Sequence, residues 1–489
     1  MNTLLIYEIN TVVWLDELSQ TYNQRIDLSN VPEMEIANIA ELNFTSVWLM
    51  GVWERSPQAI LINQQDNNFL STLSEVVPNF DQQHDIVGSA YSIKGYSVSD
   101  RLGGNQALEV FRQNLNKFNL KLLLDFVPNH TSLDHDWAIN HPEYYVRANQ
   151  AEYQKNPNHY KLISGHYIAL GRDPNYEPWS DVLQLNANSI ALRRAVVQLL
   201  SELSTICDGI RCDMANLLLS NIFQSTWGYL DIGQADDEYW RYIIKAVKDI
   251  NSEFIFIAES YWQTEAQLID LGFDYCYDKD FYDLMVNNDF DGLSKSLDQP
   301  LMQQVTRLHF LENHDEARSA ATFSDDYLMN YMVLLLTTPG AKLIYLHQID
   351  GYKIKLPVQI GRFIGEESND QLARFYKHLL TVIKPILTYL NSNWQFVTSN
   401  LDHERLVMTY AVQNLADNQT YLVLINWADH DFDLNIDLDS FSAAKIDSYN
   451  CLFSSTVGSL VDDHQVIINT QQLQLKLKPL SSLILTLNS

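Results

Sequence analysis

The sequence predicts an α/β chain: a parallel (β/α)8 barrel, broken by an excursion after its third strand and followed by a C-terminal antiparallel β-sandwich. Three observations predict it. Up to about residue 385, short apolar runs alternate with longer stretches of helical spacing, roughly eight times over, which is the pattern of a barrel with helices outside. Residues 131–188 interrupt that alternation with Pro142, Pro157, Pro174 and Pro178, much Asn and Tyr, and no long periodic run. That is too much chain for an ordinary loop. From about residue 390 the helical spacing gives way to short strand-like runs. The divisions expected are 1–130 and 189–385 for the barrel, 131–188 for a small subdomain, and 390–489 for the sandwich.

In chain order, Leu4-Leu5-Ile6-Tyr7 reads as the first strand, followed by a helix over 31–42 and the strand Ser46-Val47-Trp48-Leu49-Met50. The helix over 106–118 sets Leu108, Phe111, Leu115 and Phe118 at helical spacing and leads into a third strand over 122–127. Beyond the excursion, a helix over 189–204 carries Leu192, Val196, Leu199 and Leu203 on one face, with Ser189 as its N-cap. It feeds Gly209-Ile210-Arg211-Cys212-Asp213. A helix over 239–250 then feeds Phe254-Ile255-Phe256-Ile257-Ala258-Glu259, and further strands fall at 273–277, 307–311 and 342–346. A doubly wound open sheet is the structural alternative, disfavoured because no Gly-rich phosphate turn follows the first strand. In the last part, 421–425 and 483–487 read as strands. Leu473-Gln474-Leu475-Lys476-Leu477-Lys478 alternates apolar with polar and stops at Pro479.

With 489 residues, 46% of them hydrophobic, the chain can bury a large core. Its formal net charge of −29 argues against nucleic acid and against an anionic membrane surface, both of which call for Lys and Arg. A neutral substrate such as a sugar is compatible with it. Leu4-Leu5-Ile6 lacks a basic flank and is closed by Glu8, so it reads as a strand and not a signal peptide. The run 333–336 is too short to span a bilayer. Cys207, Cys212, Cys276 and Cys451 form no CxxC pair and read as buried thiols, which makes a reducing cytoplasm the expected address.

In such a barrel, side chains at the C-terminal strand ends share one mouth. Alternation puts Arg211 and Asp213 on the same face of the fourth strand, and a guanidinium beside a carboxylate favours the ionised form that a nucleophile needs. A structural Arg–Asp pair closing the barrel is the alternative. Glu259 ends a strand of almost unbroken apolar residues, where desolvation should hold its proton as a general acid requires; an N-cap is the alternative. Asp315 lies in Phe310-Leu311-Glu312-Asn313-His314-Asp315-Glu316, where His314 and Asp315 could both meet sugar hydroxyls or form a surface pair. Asp125 and His130 flank the end of the third strand, and Tyr91 and Trp262 could offer aromatic faces to sugar C–H surfaces or belong to the core.

Taken in order, these segments resemble glycoside hydrolase family 13, the α-amylase family. The motifs that carry the resemblance are Asp125-Phe126-Val127-Pro128-Asn129-His130, Gly209-Ile210-Arg211-Cys212-Asp213-Met214-Ala215, Ile257-Ala258-Glu259 and Glu312-Asn313-His314-Asp315, with Ala90-Tyr91-Ser92-Ile93 upstream. The resemblance implies Asp213 as nucleophile, Glu259 as acid/base and Asp315 as the carboxylate that stabilises the transition state. It implies Arg211 as the residue orienting the nucleophile, and His130, His314, Asp125 and Tyr91 as holders of the sugar.

Departures from the family pattern stand at Asn216 and Leu217, where Lys-His is frequent, at Gln184-Leu185-Asn186, where Asp-Leu-Asn is common, and at Leu346-His347-Gln348. No cofactor is expected. Asn129 is a candidate ligand for the calcium ion that many members hold, although the full donor set is not evident. The expected activity is retaining hydrolysis of α-1,4-glucan or malto-oligosaccharides through a covalent glucosyl-enzyme. An α-glucosidase, transglycosylase or phosphorylase acting on a small α-glucoside is the alternative, and a catalytically inactive binding barrel the remote one.

Overall fold

The computed structural model describes residues 3–389, 394–402, 406–414, 419–440, 446, 448–455, 467–469 and 472–488. Eight parallel strands close a barrel: β1 (Leu5–Asn10), β2 (Ser46–Met50), β3 (Lys121–Phe126), β4 (Gly209–Cys212), β5 (Ile255–Ala258), β6 (Tyr275–Tyr277), β7 (Arg307–Phe310) and β8 (Ala341–Tyr345). Each pairs with the next in chain order, and β8 pairs with β1. Leu122, Leu123 and Leu124 are all fully buried, as they must be in a strand covered on both faces. At Gly209 an added Cβ would lie 2.7 Å from the backbone oxygen of Ile255, so only glycine lets β4 start this close to β5.

The outer helices follow the apolar period. The helix Gly104–Lys117 buries Ala107, Leu108, Phe111 and Leu115. In Ile190–Ile206, Ser189 accepts a hydrogen bond from the Leu192 amide at 3.3 Å, as an N-cap does. The buried stripe there runs Leu192, Val196, Leu200 and Leu203, with Leu199 half-buried. A stripe through Leu199 has the same mean spacing, so the period alone does not choose between Leu199 and Leu200.

Beyond β3, His130–Ser132 pairs antiparallel with Val182–Gln184, and a three-stranded sheet of Arg147–Ala148, His166–Ala169 and Tyr160–Ile163 fills the excursion. A second excursion, not separable by pattern from the barrel helices, follows β2. Trp53–Arg55 pairs with Ile93–Val98, and the helices Pro57–Gln65 and Asn67–Val76 lie between. The helix Asn67–Val76 is amphipathic like the barrel's own, so its period carries no mark that it lies outside the alternation.

The described C-terminal strands form two antiparallel sheets. One has the order Trp394–Asp402, Val407–Asn414, Thr420–Asn426, Ser482–Asn488, Ser448–Ser454; the other Phe432–Asp437, Gln472–Leu477, Ile467–Asn469. Leu473, Leu475 and Leu477 face inward against Ala411, Leu422 and Leu424, which makes the pair a sandwich. The opposite face, with Tyr410, Val423 and Ile425, joins the barrel core. Asn330, on the helix Asp325–Thr337, is fully buried at that seam; its Nδ2 donates to the Asn426 carbonyl at 2.9 Å and its Oδ1 accepts from the Ser482 hydroxyl. Among the described residues no helix is long and apolar enough to cross a membrane.

Candidate active site

Residue pairing in the barrel levels the strand ends. Cys212 lies opposite Ala258 and Phe126, so Asp213 and Glu259 are the next residues of two adjacent strands. Neighbouring strands stand about 4.8 Å apart, which brings these carboxyls together above the barrel floor. Arg211, fully buried, points to the same side. Its Nη1 donates to Asp213 Oδ1 at 2.8 Å, while Nη2 lies 2.9 Å from Glu259 Oε1 and 3.8 Å from Asp315 Oδ2. The rings of Trp48, Tyr91 and Tyr277 surround the guanidinium at 5.4, 5.2 and 5.6 Å. Burial alone would strip charge from Arg211, but Glu259 and the other acidic groups outweigh it and hold the side chain firmly protonated.

The carboxyls have unlike environments. Burial pushes Glu259 up to about 7, with Arg211 pulling the other way and Asp213 and Asp315 adding to the rise. Asp213 is also raised by burial above the ordinary carboxylate value, against the pull of Arg211. The sequence expectation had the guanidinium's sign right and left out burial, which is the larger effect. Burial acts on Asp315 as well, yet His314, Arg211 and Lys355 together hold it well below the usual carboxylate range.

His314 is the cause of that difference. Asn313 Oδ1 accepts from the amides of Asp315 and Glu316 at 2.8 and 2.9 Å, a local turn that sets both side chains. His314 Nε2 then lies 2.9 Å from Asp315 Oδ2 and 2.6 Å from the Tyr91 hydroxyl, and Nδ1 lies 2.5 Å from Glu8 Oε1. Burial opposes a charge on the ring, but Asp315 and Glu8 push it up to about 10, so it is an imidazolium. Glu8, fully buried on β1, carries no motif; a lone acid in an apolar strand is the signal that could have found it.

A cleft of about 350 Å3 opens above this cluster. Asp213, Glu259, Asp315, His130 and Tyr91 line it, with Trp179 and Asp181 from the excursion, Met214, Tyr261, and Gln359 from the segment after β8. Arg211 and His314 lie beneath these residues. Asp125 is fully buried and outside the lining; its Oδ2 accepts from the Gly51 amide at 2.9 Å, and burial raises it to about 7. His130, brought down to about 4 by burial, is neutral and packs 5.2 Å from the Trp179 ring. Trp262 is 44% exposed and outside the lining, because the backbone turns left-handed at Trp262 and Gln263 (φ 61° and 59°). Tyr261 takes the inward place, its hydroxyl donating to Glu259 Oε1 at 2.9 Å. Met214, also left-handed (φ 45°), donates its amide to Glu259 Oε2 at 2.5 Å. Lys355 reaches the Asp315 carbonyl from the same late segment as Gln359. Sequence reading missed Asp181, Tyr261 and Gln359, which line the cleft from loops without a period, and Lys355 beside them.

Asn129, the candidate calcium ligand, has both its oxygens engaged. Its backbone oxygen and Oδ1 accept from Gln184 Nε2 at 3.0 and 2.9 Å, and the Leu185 carbonyl accepts from the same nitrogen at 3.1 Å. These oxygens are all neutral, a donor nitrogen stands between them, and no cluster of three His, Cys, Asp or Glu fit for a metal ion occurs among the described residues. A calcium ion takes six to eight oxygens with carboxylates among them, so this set does not fit one.

Comparison with known proteins matches residues 27–353 to the family "Alpha amylase, catalytic domain". The chain is similar to Alpha-amylase MalA of Haloarcula japonica, 23% identical over 279 residues, which cover 55% of this chain and 38% of that protein. It is also similar to Alpha-amylase 3 of Dictyoglomus thermophilum, 23% identical over 314 residues, covering 58% of this chain and 59% of that one. The matches therefore span 38% and 59% of these relatives' lengths. Among solved structures, a noncanonic maltogenic alpha-amylase, AmyB from Thermotoga neapolitana, superposes with a TM-score of 0.69 at 18% identity, covering 99% of both chains. The alpha-amylase from Geobacillus thermoleovorans complexed with acarbose gives 0.69 at 16% identity, covering 100% of both. At such identities these two speak for the fold.

Proposed function

The chain belongs to the alpha-amylase family, and on that premise we propose that it is a retaining glycoside hydrolase of α-1,4-glucan or malto-oligosaccharides. The observation that carries the reading is one buried guanidinium, Arg211, in contact with three carboxyl groups of unlike proton affinity at the mouth of the barrel. Glu259, raised to about 7, keeps a proton to give; Asp315, held low, keeps its charge.

In this reading Asp213 attacks the anomeric carbon while the bond from that carbon to the leaving oxygen breaks. Glu259 gives its proton to that oxygen, and a covalent glucosyl-enzyme forms. Water then attacks the same carbon. Glu259 takes a proton from the water, the ester to Asp213 breaks, and two inversions leave the α configuration. Asp315, charge-stabilised by His314, faces the positive charge that grows on the sugar ring. Tyr91 and His130, which line the cleft, hold the sugar in this reading. Trp179 offers it an aromatic face. Four cysteines without a disulfide suit a reducing compartment such as the cytoplasm.

The test is product analysis on malto-oligosaccharides, soluble starch, isomaltose, sucrose and trehalose, with and without inorganic phosphate, beside Asp213→Asn. Shorter malto-oligosaccharides from longer ones, with activity of the variant below a few per cent and its fold unchanged, are expected. Longer products would move the assignment to a transferase, and sugar phosphate to a phosphorylase. Activity of the variant above a few per cent of wild type would remove Asp213 from the nucleophile role.

A further inference from the structure

The joint between the barrel and the excursion after β3 is held by an unusual buried contact. Gln184 is fully buried, and its Nε2 meets three oxygens: the Asn129 backbone oxygen at 3.0 Å, Asn129 Oδ1 at 2.9 Å and the Leu185 carbonyl at 3.1 Å. A primary amide has only two hydrogens, so the nitrogen is shared among more acceptors than it can fully serve. Gln184 Oε1, at the other end of the same amide, is buried without a partner among the described residues. Converging oxygens around one centre are how proteins hold a cation. Here the centre is an amide NH2 group, whose two hydrogens carry the partial positive charge. The reverse amide orientation would set Oε1 against three oxygens, all acceptors, and only a cation between them could relieve the repulsion.

We propose that the Gln184 amide takes the part of a structural cation at this joint, so that the chain holds barrel and excursion together without a metal. The consequence reaches the cleft. Gln184 lies opposite His130 in the antiparallel pair, and His130 lines the cleft beside Trp179. The amide clamps the residue just before His130, so it sets where that ring stands. A carboxylate at position 184 would face the same oxygens, repel them, and create the demand for a dication that the amide removes.

The experiment compares the full chain with Gln184→Glu and Gln184→Leu by thermal unfolding in EDTA and in millimolar calcium chloride, with metal content measured after gel filtration. The wild-type midpoint is expected to agree within a degree between the two conditions, with no stoichiometric calcium in the protein. Gln184→Glu is expected to melt several degrees lower in EDTA and to recover in calcium, because a ligand that binds only the native state stabilises it by mass action. Gln184→Leu should melt lower in both conditions alike, since Asn129 Oδ1 and the Leu185 carbonyl lose the amide donor, while the Asn129 backbone oxygen keeps the Leu185 amide. A wild-type midpoint that rises by several degrees in calcium, or one calcium ion per chain, would overturn the proposal. So would a Glu variant as stable in EDTA as the wild type. If the Glu variant fails to fold, the wild-type metal content and its response to EDTA still decide the matter.

Discussion

Tyr261→Phe tests the acid/base assignment with the removal of one oxygen atom. The Tyr261 hydroxyl donates to Glu259 Oε1 at 2.9 Å, and burial raises its own pKa, so it stays a donor at working pH. A donor to a carboxylate stabilises the ionised form. Removing it must therefore raise the Glu259 pKa from its present value of about 7. Hydrogen bonds to charged groups contribute roughly 1.5–3 kcal/mol. One pKa unit corresponds to about 1.4 kcal/mol, so the lower end of that range predicts a rise of about one unit. The Met214 amide remains on Oε2 at 2.5 Å and keeps the carboxyl in place. The acid must carry its proton to cleave, so activity falls as pH rises through the Glu259 pKa, and the variant should keep activity about one pH unit further into the alkaline range. The assay is kcat/KM against pH for a malto-oligosaccharide that the wild type cleaves. An alkaline limb that stays in place or moves down refutes the reasoning. A lower kcat with an unmoved limb would mean that Tyr261 touches the sugar and does not tune Glu259.

Two further substitutions separate charge from packing. Glu8→Gln takes away one of the two carboxylates that keep His314 charged, and a charge-assisted contact of this kind, contributing about 1.5–3 kcal/mol, predicts a 10- to 100-fold fall in kcat/KM with the melting temperature changed by only a few degrees. Wild-type kcat/KM would show that Asp315 alone is enough to hold the ring charged. Asn330→Ala removes the buried amide that joins the barrel helix to Asn426 and Ser482. Leaving those groups unpaired should cost about 2–4 kcal/mol, read from the urea midpoint. A loss below about 1 kcal/mol would mean that the seam is held by the contact of Tyr331 with Trp427 and its neighbours instead, where those two rings lie 4.5 Å apart.

The barrel was legible because parallel strands buried on both faces are nearly continuous apolar runs, and because the helices between them repeat every 3.6 residues. Leu122-Leu123-Leu124 and the stripe from Leu192 to Leu203 show both periods. The C-terminal strand with Leu473, Leu475 and Leu477 was legible from its period of two. The carboxyls at the ends of β4 and β5 could be placed from the same logic, since alternation fixes the face and strand order fixes the neighbour. What the sequence could not supply was everything that depends on distant segments meeting. Glu8 and His314 are 306 residues apart, and nothing local in either marks the other as its partner. Which of Tyr261 and Trp262 faces the cleft was decided by two left-handed backbone turns, not by side-chain chemistry. The extent of burial likewise decided the sign at Asp213, where the neighbouring Arg211 was visible in the sequence and desolvation was not. Local periodicity determines which residues form strands and helices. Proton affinities and cleft walls are sums over neighbours that only the closed barrel brings within reach.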